Sequence, residues 1–255
     1  MICYYQLLFK NKQEEFVIEF GVPDNKEELK KMFQLRFEVY AQKNYIDPQK
    51  FPDGLEQDEY DFNKKCVYFI SKIEDEVIGS LRLIIDNPLP TQIYFKFQEP
   101  LELSIISDNQ KLEIGRLVIK YHPLYKKIKL GRHLILLTLF KSVMDYASEK
   151  QYLAGYSFIK KRLADKLNIL SLPYHEIKNF EQVYPDNGIL AKYFNDLNDP
   201  VIPIFYLKNE VNNYLNKLFN KKFLFKTIKN NNHTTIKVNN LNYNLYIKYL
   251  YIKSI

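Results

Sequence analysis

The chain has 255 residues, of which 46% are hydrophobic, and a formal net charge of +7 at pH 7. This suits one large domain, or one domain with an appendage, and no apolar run reaches the roughly 18 residues that a membrane-spanning helix needs. The first ten residues are too short and wrongly flanked for a signal peptide, and two cysteines exclude a disulfide framework, so a reducing cytoplasm is the expected location.

The first half of the chain predicts a strand, a helix and a hairpin. Residues 13–20 are predicted as a short strand, and a helix is expected to begin at Asp24, the predicted N-cap, with Glu27 in the capping-box position. Arg36 lies one turn after Met32 in this helix, at the edge of its apolar face. Prolines exclude regular helix between residues 47 and 54.

Residues 66–73 and 77–85 predict a hairpin that turns at 74–76. Residues 86–111 contain three prolines and are interpreted as a long connection with one short helix. Further elements are predicted as strands at 112–119, 152–158, 174–178 and 201–207, and helices at 132–149 and 159–168.

The positive charge lies at the C-terminal end. Residues 205–255 hold nine lysines and one glutamate, whereas the first 204 residues hold 28 basic and 29 acidic residues. Residues 208–228 are interpreted as an amphipathic helix and 234–252 as a hairpin around Asn239 and Asn240. We therefore expect a main domain over 1–206 and a basic C-terminal extension over 207–255.

Such an extension can bind an anionic membrane surface, nucleic acid or an acidic protein, and Lys and Tyr interleave over 243–253. Of these partners, a membrane surface is a candidate contact of the tail, and nucleic acid is disfavoured. The alternative is a compositional bias toward Lys, Asn, Ile and Tyr along the whole chain.

The order of elements mixes antiparallel hairpins with a parallel crossover, which predicts an α+β fold. A strand, a basic loop containing Gly131 and then a helix resembles the GNAT acyltransferase superfamily, although the usual loop has two or more glycines. The resemblance implies a three-layer fold with a mixed, mostly antiparallel central sheet flanked by helices.

Four short motifs occur in order: Arg36 on the first helix, the acidic loop 56–61, Arg82 within 79–83, and 113–116. Together they resemble the signature of acyl-homoserine-lactone autoinducer synthases and of their relatives, the N-acyl amino acid synthases. The resemblance covers roughly residues 25–180. Autoinducer synthases usually have Ser or Thr where this chain has Gly115, and a Trp about where Tyr45 lies. These departures favour an amino acid as acceptor over the S-adenosylmethionine of autoinducer synthases.

The implied reaction moves a fatty acyl group from a thioester to an amine, so it needs a base and a site for the oxyanion. Glu113 is the candidate base; alternatively it pairs with Arg82 or Arg116. The backbone N–H groups of Leu117, Val118 and Ile119 are the candidate oxyanion donors.

A set of charged residues is expected to form a network that binds an acceptor, with Asp taking its ammonium group and Arg its carboxylate. The alternative is a structural network that joins the first helix to the sheet. Its members are Arg36, Glu56, Asp58, Asp61, Arg82 and Arg116.

The donor is expected at the basic loop and the helix that follows it, because helix N-termini bind phosphate. An acyl-phosphopantetheine on an acyl carrier protein, or acyl-CoA, is the expected donor substrate, with no permanently bound cofactor and no metal. Lys160, Lys161 and Arg162 would widen the basic surface for a carrier protein; the alternative is a solvated loop. The remaining donor-site candidates are Lys126, Lys127, Lys129, Gly131 and Arg132.

Two other functions stay open from the sequence. One is a binding module that acts through the basic tail, and the other is an ordinary protein N-acetyltransferase. The low glycine content of the donor loop argues against the second.

Overall fold

The computed structural model describes residues 1–10, 14–127 and 131–253. Its strands are β1 (Ile2–Lys10), β2 (Glu15–Val22), β3 (Cys66–Ile73), β4 (Glu76–Ile84), β5 (Phe95–Lys96), β6 (Lys111–Ile119), β7 (Ala154–Lys160), β8 (His175–Glu176), β9 (Glu181–Gln182), β10 (Val201–Leu207), β11 (Phe225–Lys229) and β12 (Thr234–Val238).

The helices range from single turns to five turns. They are α1 (Lys26–Gln42), α2 (Glu59–Phe62), α3 (Pro90–Tyr94), α4 (Leu101–Ser104), α5 (Leu124–Lys127), α6 (Arg132–Glu149), α7 (Lys161–Ile169), α8 (Ala191–Phe194), α9 (Lys208–Phe219) and α10 (Asn240–Lys253). No helix within the described ranges is long and apolar enough to cross a bilayer.

Ten of the strands form one sheet in the order β11-β12-β1-β2-β3-β4-β6-β7-β10-β8. The pairs β1/β12 and β6/β7 are parallel and the other pairs are antiparallel. The predicted mixed, mostly antiparallel sheet is therefore confirmed.

Helices cover both faces of this sheet. Phe69 and Ile70 are consecutive on β3, so their side chains point to opposite faces. Phe69 packs in the core that contains α6 and α9, and Ile70 packs in the core that contains α1. The expected three layers are present.

Strands β6 and β7 separate after a short pairing. Among the described residues, they pair only between 111–113 and 154–156, although β6 continues to Ile119 and β7 to Lys160. The sheet therefore has an opening between the two strands.

A bulge in β6 controls which side chains face this opening. Arg116 has φ = 53°, and the register with β4 places two β6 residues, Arg116 and Leu117, opposite Leu81 alone. Residues three apart on a regular strand point to opposite faces, but an extra residue reverses this alternation. Glu113 and Arg116 thereby lie on the same face, toward α1.

Two local predictions are wrong, and one strand was not expected. The N-cap of α1 is Asn25, whose side chain accepts from Glu28 N–H at 2.9 Å, whereas Asp24 pairs with the amino group of Met1. The strand β1 was not predicted. The helix expected over 208–228 ends at Phe219, and the next residues lead into β11.

The hairpin expected over 234–252 is wrong. The turn lies earlier, between β11 and β12, and α10 follows. Asn239 accepts from Asn242 N–H at 3.2 Å, so its side chain caps a helix. Tyr243, Ile247 and Leu250 are buried at helical spacing. The prediction of strands rested instead on an apparent alternation of residue types over 234–252.

The residues after 206 pack against the rest of the molecule. Val211, Leu215 and Leu218 of α9 are buried in the same core as α6, and β12 pairs with β1. The predicted division at residue 206 stays a prediction.

Candidate active site

Six charged side chains form a closed ring in which arginines and carboxylates alternate, which we call the charge ring. Glu56 accepts from Arg36 Nε at 2.5 Å and from Arg116 Nε at 3.0 Å. In order around the ring, the members are Arg36, Glu56, Arg116, Asp58, Arg82 and Asp61, which returns to Arg36.

The two aspartates complete the ring with paired contacts. Asp58 accepts from both terminal nitrogens of Arg82, at 2.6 and 2.8 Å, and from Arg116 Nη2 at 2.7 Å. Asp61 accepts from both terminal nitrogens of Arg36, at 3.2 and 3.0 Å, and its Oδ2 lies 2.9 Å from Arg82 Nη1. The structure thus brings together all six residues that the sequence placed in a network.

A capping box positions the two aspartates. Asp58 is the N-cap of α2 and accepts from Tyr60 N–H at 3.1 Å, while Asp61 accepts from Asp58 N–H at 3.0 Å. The helical turn expected at this place therefore holds both carboxylates toward the sheet. On the sheet side, Tyr68 of β3 donates its hydroxyl to Asp61 at 2.8 Å.

The charges of the ring sum to zero, and its side chains are at most 9% exposed. Burial alone would raise the pKa of Asp58, but Arg82 and Arg116 outweigh it and hold that pKa below its ordinary value. A buried network of this kind is stable only when every charge is paired.

Glu113 lies apart from these pairs. It is 1% exposed, and its carboxylate accepts from the backbone N–H of Thr91 at 2.7 Å. No ion pair joins it to Arg82 or Arg116 within the described part of the chain, contrary to the alternative considered from the sequence. Burial raises the pKa of Glu113, and the hydrogen bond from Thr91 lowers it by a smaller amount. The net result is a pKa of about 8.

A cavity of about 1340 Å³ runs through the opening between β6 and β7. Three ring members, Asp58, Arg82 and Arg116, line it together with Glu113 on the α1 side of the sheet. On the α6 side, the lining combines an apolar wall with the charged side chains of Arg132, Arg162 and Lys166; the wall includes Leu136, Phe140, Leu163, Leu167 and Leu170.

The expected donor-site residues are only partly gathered at this cavity. Leu117, Ile119 and Arg132 line it, and Val118 is buried in the α1 core. Gly131 is the N-cap of α6. Lys126 is exposed and does not line the cavity.

The last two donor-site candidates are Lys127 and Lys129. Lys129 lies outside the described residues, and Lys127 ends α5. Of the residues expected to widen the basic surface, Lys160 and Arg162 line the cavity, whereas the exposed Lys161 pairs with Asp165.

Three features of this site could not be predicted from the sequence. Thr91 comes from a segment interpreted as a connection, and no motif marks it. The apolar wall combines residues of α6 and α7, which carry only the ordinary signal of buried helix faces. The third is the contact of Lys160, whose Nζ donates to the backbone oxygens of Tyr193 at 2.5 Å and Asp199 at 2.7 Å.

Tyr45 also lines the cavity, and its ring centroid is 5.0 Å from that of Tyr193. Across the parts of the chain that the structure describes, no group of three or more His, Cys, Asp or Glu side chains is placed to hold a metal ion.

Comparison with known proteins points to one family. A family model described as autoinducer synthase matches residues 23–178. A search by sequence among curated proteins found no match.

Three solved structures share the fold. LasI, an acyl-homoserine-lactone (AHL) synthase, is 15% identical with a TM-score of 0.51, over 78% of this chain and 93% of LasI. TofI, in a ternary complex with an inhibitor and MTA, is 11% identical with a TM-score of 0.51, over 78% of this chain and 96% of TofI. BjaI, a CoA-dependent acyl-homoserine lactone synthase with SAM and isopentyl-CoA, is 14% identical with a TM-score of 0.50, over 84% of this chain and 89% of BjaI.

Proposed function

The chain belongs to the autoinducer synthase family and is an acyl-transferring enzyme; from this we propose that it transfers a fatty acyl group from a thioester to the amine of an amino acid. The observation that carries the proposal is the cavity through the sheet, with Glu113 on one wall and an apolar lining beyond it. A site for a long acyl chain needs such a lining, because each buried CH₂ contributes about 0.8 kcal/mol.

Glu113 is the proposed base. The acceptor's ammonium group gives a proton to the Glu113 carboxylate, directly or through one water, and the free amine attacks the thioester carbonyl carbon. A C–N bond forms, the C–S bond breaks, and the leaving thiolate takes the proton that the attacking nitrogen loses, which gives the thiol of the carrier. The products are an amide and a free thiol.

The oxyanion of the tetrahedral intermediate is proposed to bind to backbone N–H groups of β6. Lys120 N–H donates to Ile78 O on β4 at 2.8 Å. Because consecutive N–H groups on a strand point to opposite edges, those of Leu117 and Ile119 point to the opening, whereas that of Val118 points to β4. Leu117 and Ile119 are thus the better donors.

The charge ring is proposed to have two parts. Arg36, Glu56 and Asp61 lie away from the cavity and join α1 to the loop and the sheet. Asp58, Arg82 and Arg116 line the cavity, so Asp58 can take the acceptor's ammonium group and an arginine its carboxylate. The acceptor and scaffolding roles considered from the sequence then belong to different members of one ring.

The donor is proposed to enter on the α6 side. Arg132, Arg162 and Lys166 line the cavity there and supply positive charge for a phosphate. This charge suits either an acidic acyl carrier protein or the nucleotide part of acyl-CoA. If a carrier protein is the donor, KM should rise steeply with salt, because docking of two charged surfaces is screened.

S-adenosylmethionine is the second candidate acceptor, which would make the product an acyl-homoserine lactone. It is favoured by the family match and by BjaI, whose structure contains SAM and isopentyl-CoA. Gly115 in place of the usual hydroxyl residue, and the absence of Trp from the chain, favour the amino acid.

One experiment tests both acceptors. Purified protein is mixed with acyl-carrier-protein and acyl-CoA thioesters of graded chain length, together with either single amino acids or S-adenosylmethionine. Mass spectrometry identifies an N-acyl amino acid or a lactone, and thiol release gives the rate. We expect amides with amino acids and higher kcat/KM for long chains; a failure to form any amide with either acceptor class would disprove the proposal.

A further inference from the structure

The C-terminal part of the chain carries charge of one sign. After Glu210, residues 211–253 hold eight lysines and no aspartate or glutamate. Elsewhere in the chain, basic and acidic residues are nearly balanced. A surface of this kind attracts an anionic partner.

Helix α10 is apolar on two sides. Its inner side packs Tyr243, Ile247 and Leu250 against the core. Its outer side presents Leu241 and Ile252, which are 71% and 72% exposed. Apolar side chains so far from the core are unusual on a helix that already has a buried face.

The outer side forms one continuous stripe. On an α-helix, the residues four, eight and eleven positions after Leu241 share its face. These residues are Leu245, Tyr249 and Ile252. The exposed Phe223 lies near the first turn of α10, where Asn242 Nδ2 donates to its carbonyl oxygen at 2.8 Å, and we count it with the stripe. We call this set the apolar stripe; its members are Phe223, Leu241, Leu245, Tyr249 and Ile252, and each is more than half exposed.

Exposed lysines border the apolar stripe. Lys222 precedes Phe223, Lys248 lies on the outer side of α10 and Lys253 ends the helix; all three are exposed. Apolar side chains flanked by lysines are typical of helices that lie in the headgroup region of a membrane.

We propose that the apolar stripe binds the surface of an anionic phospholipid bilayer. The stripe would enter the boundary between headgroups and acyl chains, and the surrounding lysines would contact anionic headgroups. Nucleic acid offers phosphates for the lysines but no apolar phase for exposed leucine and isoleucine. A bilayer surface provides both.

The position of α10 connects this surface to the cavity. Tyr251 lines the cavity, and its ring centroid lies 6.2 Å from that of His133 in the first turn of α6. If the proposed acyl transfer is correct, the fatty amide would leave beside the lipid phase that best dissolves it. Vesicle binding itself does not depend on that activity, so the two proposals fail separately.

Vesicle flotation of the full chain tests the proposal. We expect binding to phosphatidylcholine vesicles that contain about 30% phosphatidylglycerol, and much weaker binding to pure phosphatidylcholine or in high salt. The double variant Leu245→Glu, Ile252→Glu should bind the anionic vesicles at least about tenfold more weakly. The matched control is Leu101→Glu, Leu197→Glu, which makes the same change at leucines that are 77% and 91% exposed.

Binding by the control and loss in the stripe variant, with unchanged circular dichroism, would support the proposal. Absence of wild-type binding to anionic vesicles in low salt would overturn it, and so would an equal loss in both variants. Size-exclusion chromatography and DNA titration identify the alternatives. A dimer or a DNA complex that the stripe variant alone abolishes, without a change in vesicle binding, would assign the stripe to that partner.

Discussion

At the scale of single residues, the site separates charges that are fully paired from one that is not. Each carboxylate of the charge ring meets two arginines, whereas the buried Glu113 accepts from one backbone N–H group and forms no ion pair among the described residues. The first arrangement keeps groups ionised and the second favours the protonated acid. Of the four carboxylates compared, Glu113 is therefore the one prepared to exchange a proton near neutral pH.

Glu113→Gln should lower kcat by about 10²- to 10⁴-fold, because it removes the proposed base and keeps the shape of the side chain. In the parent enzyme, kcat/KM should rise with pH through a pKa of about 8, as Glu113 loses its proton. A pH profile of the initial rate measures both effects. An active variant with the same rising limb would rule out Glu113 as the base.

The same substitution should change how stability depends on pH. The pKa of Glu113 is raised in the folded state from 4.5 to about 8, so its contribution to stability is complete below the unfolded value and is lost as pH rises through the folded value. The loss amounts to at most about 1.4 kcal/mol per pH unit. Denaturant titrations between about pH 5 and 8 should show a smaller decline for Glu113→Gln.

Arg36→Met should destabilise the fold by about 3–5 kcal/mol, because it leaves one excess negative charge in a buried ring. The control Lys96→Met breaks a pair with Glu181 whose side chains are 68% and 66% exposed, and it should cost less than about 1 kcal/mol. Urea unfolding of both variants gives the comparison. Equal losses would show that the ring contributes no more than a surface pair.

At the scale of elements, the bulge in β6 and its separation from β7 create the site. The motif residues Arg36, Arg82 and Arg116 could be found from the sequence because their order and spacing resemble a known signature. The closure of the ring could not be found, because it depends on a bulge at Arg116, a residue type that gives no sign of positive φ. The hydrogen bond between Thr91 and Glu113 could not be predicted either, because Thr91 lies in a segment without periodicity.

Gly115 offers a test of acceptor choice that leaves the fold intact. A Cβ at this position would meet no described atom within 4 Å, so Gly115→Ser should change stability by less than about 1 kcal/mol. At Gly21 a Cβ would lie 2.0 Å from Ile2 O, and Gly21→Ser should cost about 3 kcal/mol or more. Thermal unfolding measures both. If Gly115 selects the acceptor, the Ser variant should gain activity toward S-adenosylmethionine relative to amino acids.

At the scale of the whole molecule, the basic C-terminal residues are part of the sheet and of the α6 core. The basic composition of this segment could be derived from the sequence, but its secondary structure could not. Helix caps and turns use the same residue types, and Asn239 caps α10 where a turn was expected. Strand pairing over long sequence distances, as between β1 and β12, leaves no local signal.

Leu215→Ala should lower the free energy of unfolding of the entire protein by about 2–4 kcal/mol, in one cooperative transition, because Leu215 is fully buried in the core shared with α6. The exposed neighbour Asn213→Ala should have little effect. Calorimetry distinguishes the outcomes. Two transitions, of which only the smaller shifts, would instead support an independent unit after residue 206.

The parallel pair β1/β12 also affects how the chain is made. Tyr5 pairs with Thr234, so β1 leaves the ribosome 229 residues before its partner strand. At about 5–20 residues per second, that interval is roughly 10–45 s. Throughout it, one edge of a strand that carries Leu7, Leu8 and Phe9 has no partner, which exposes the nascent chain to aggregation. Slow translation or a shortage of chaperones should therefore reduce the yield of this protein more than its final stability would suggest.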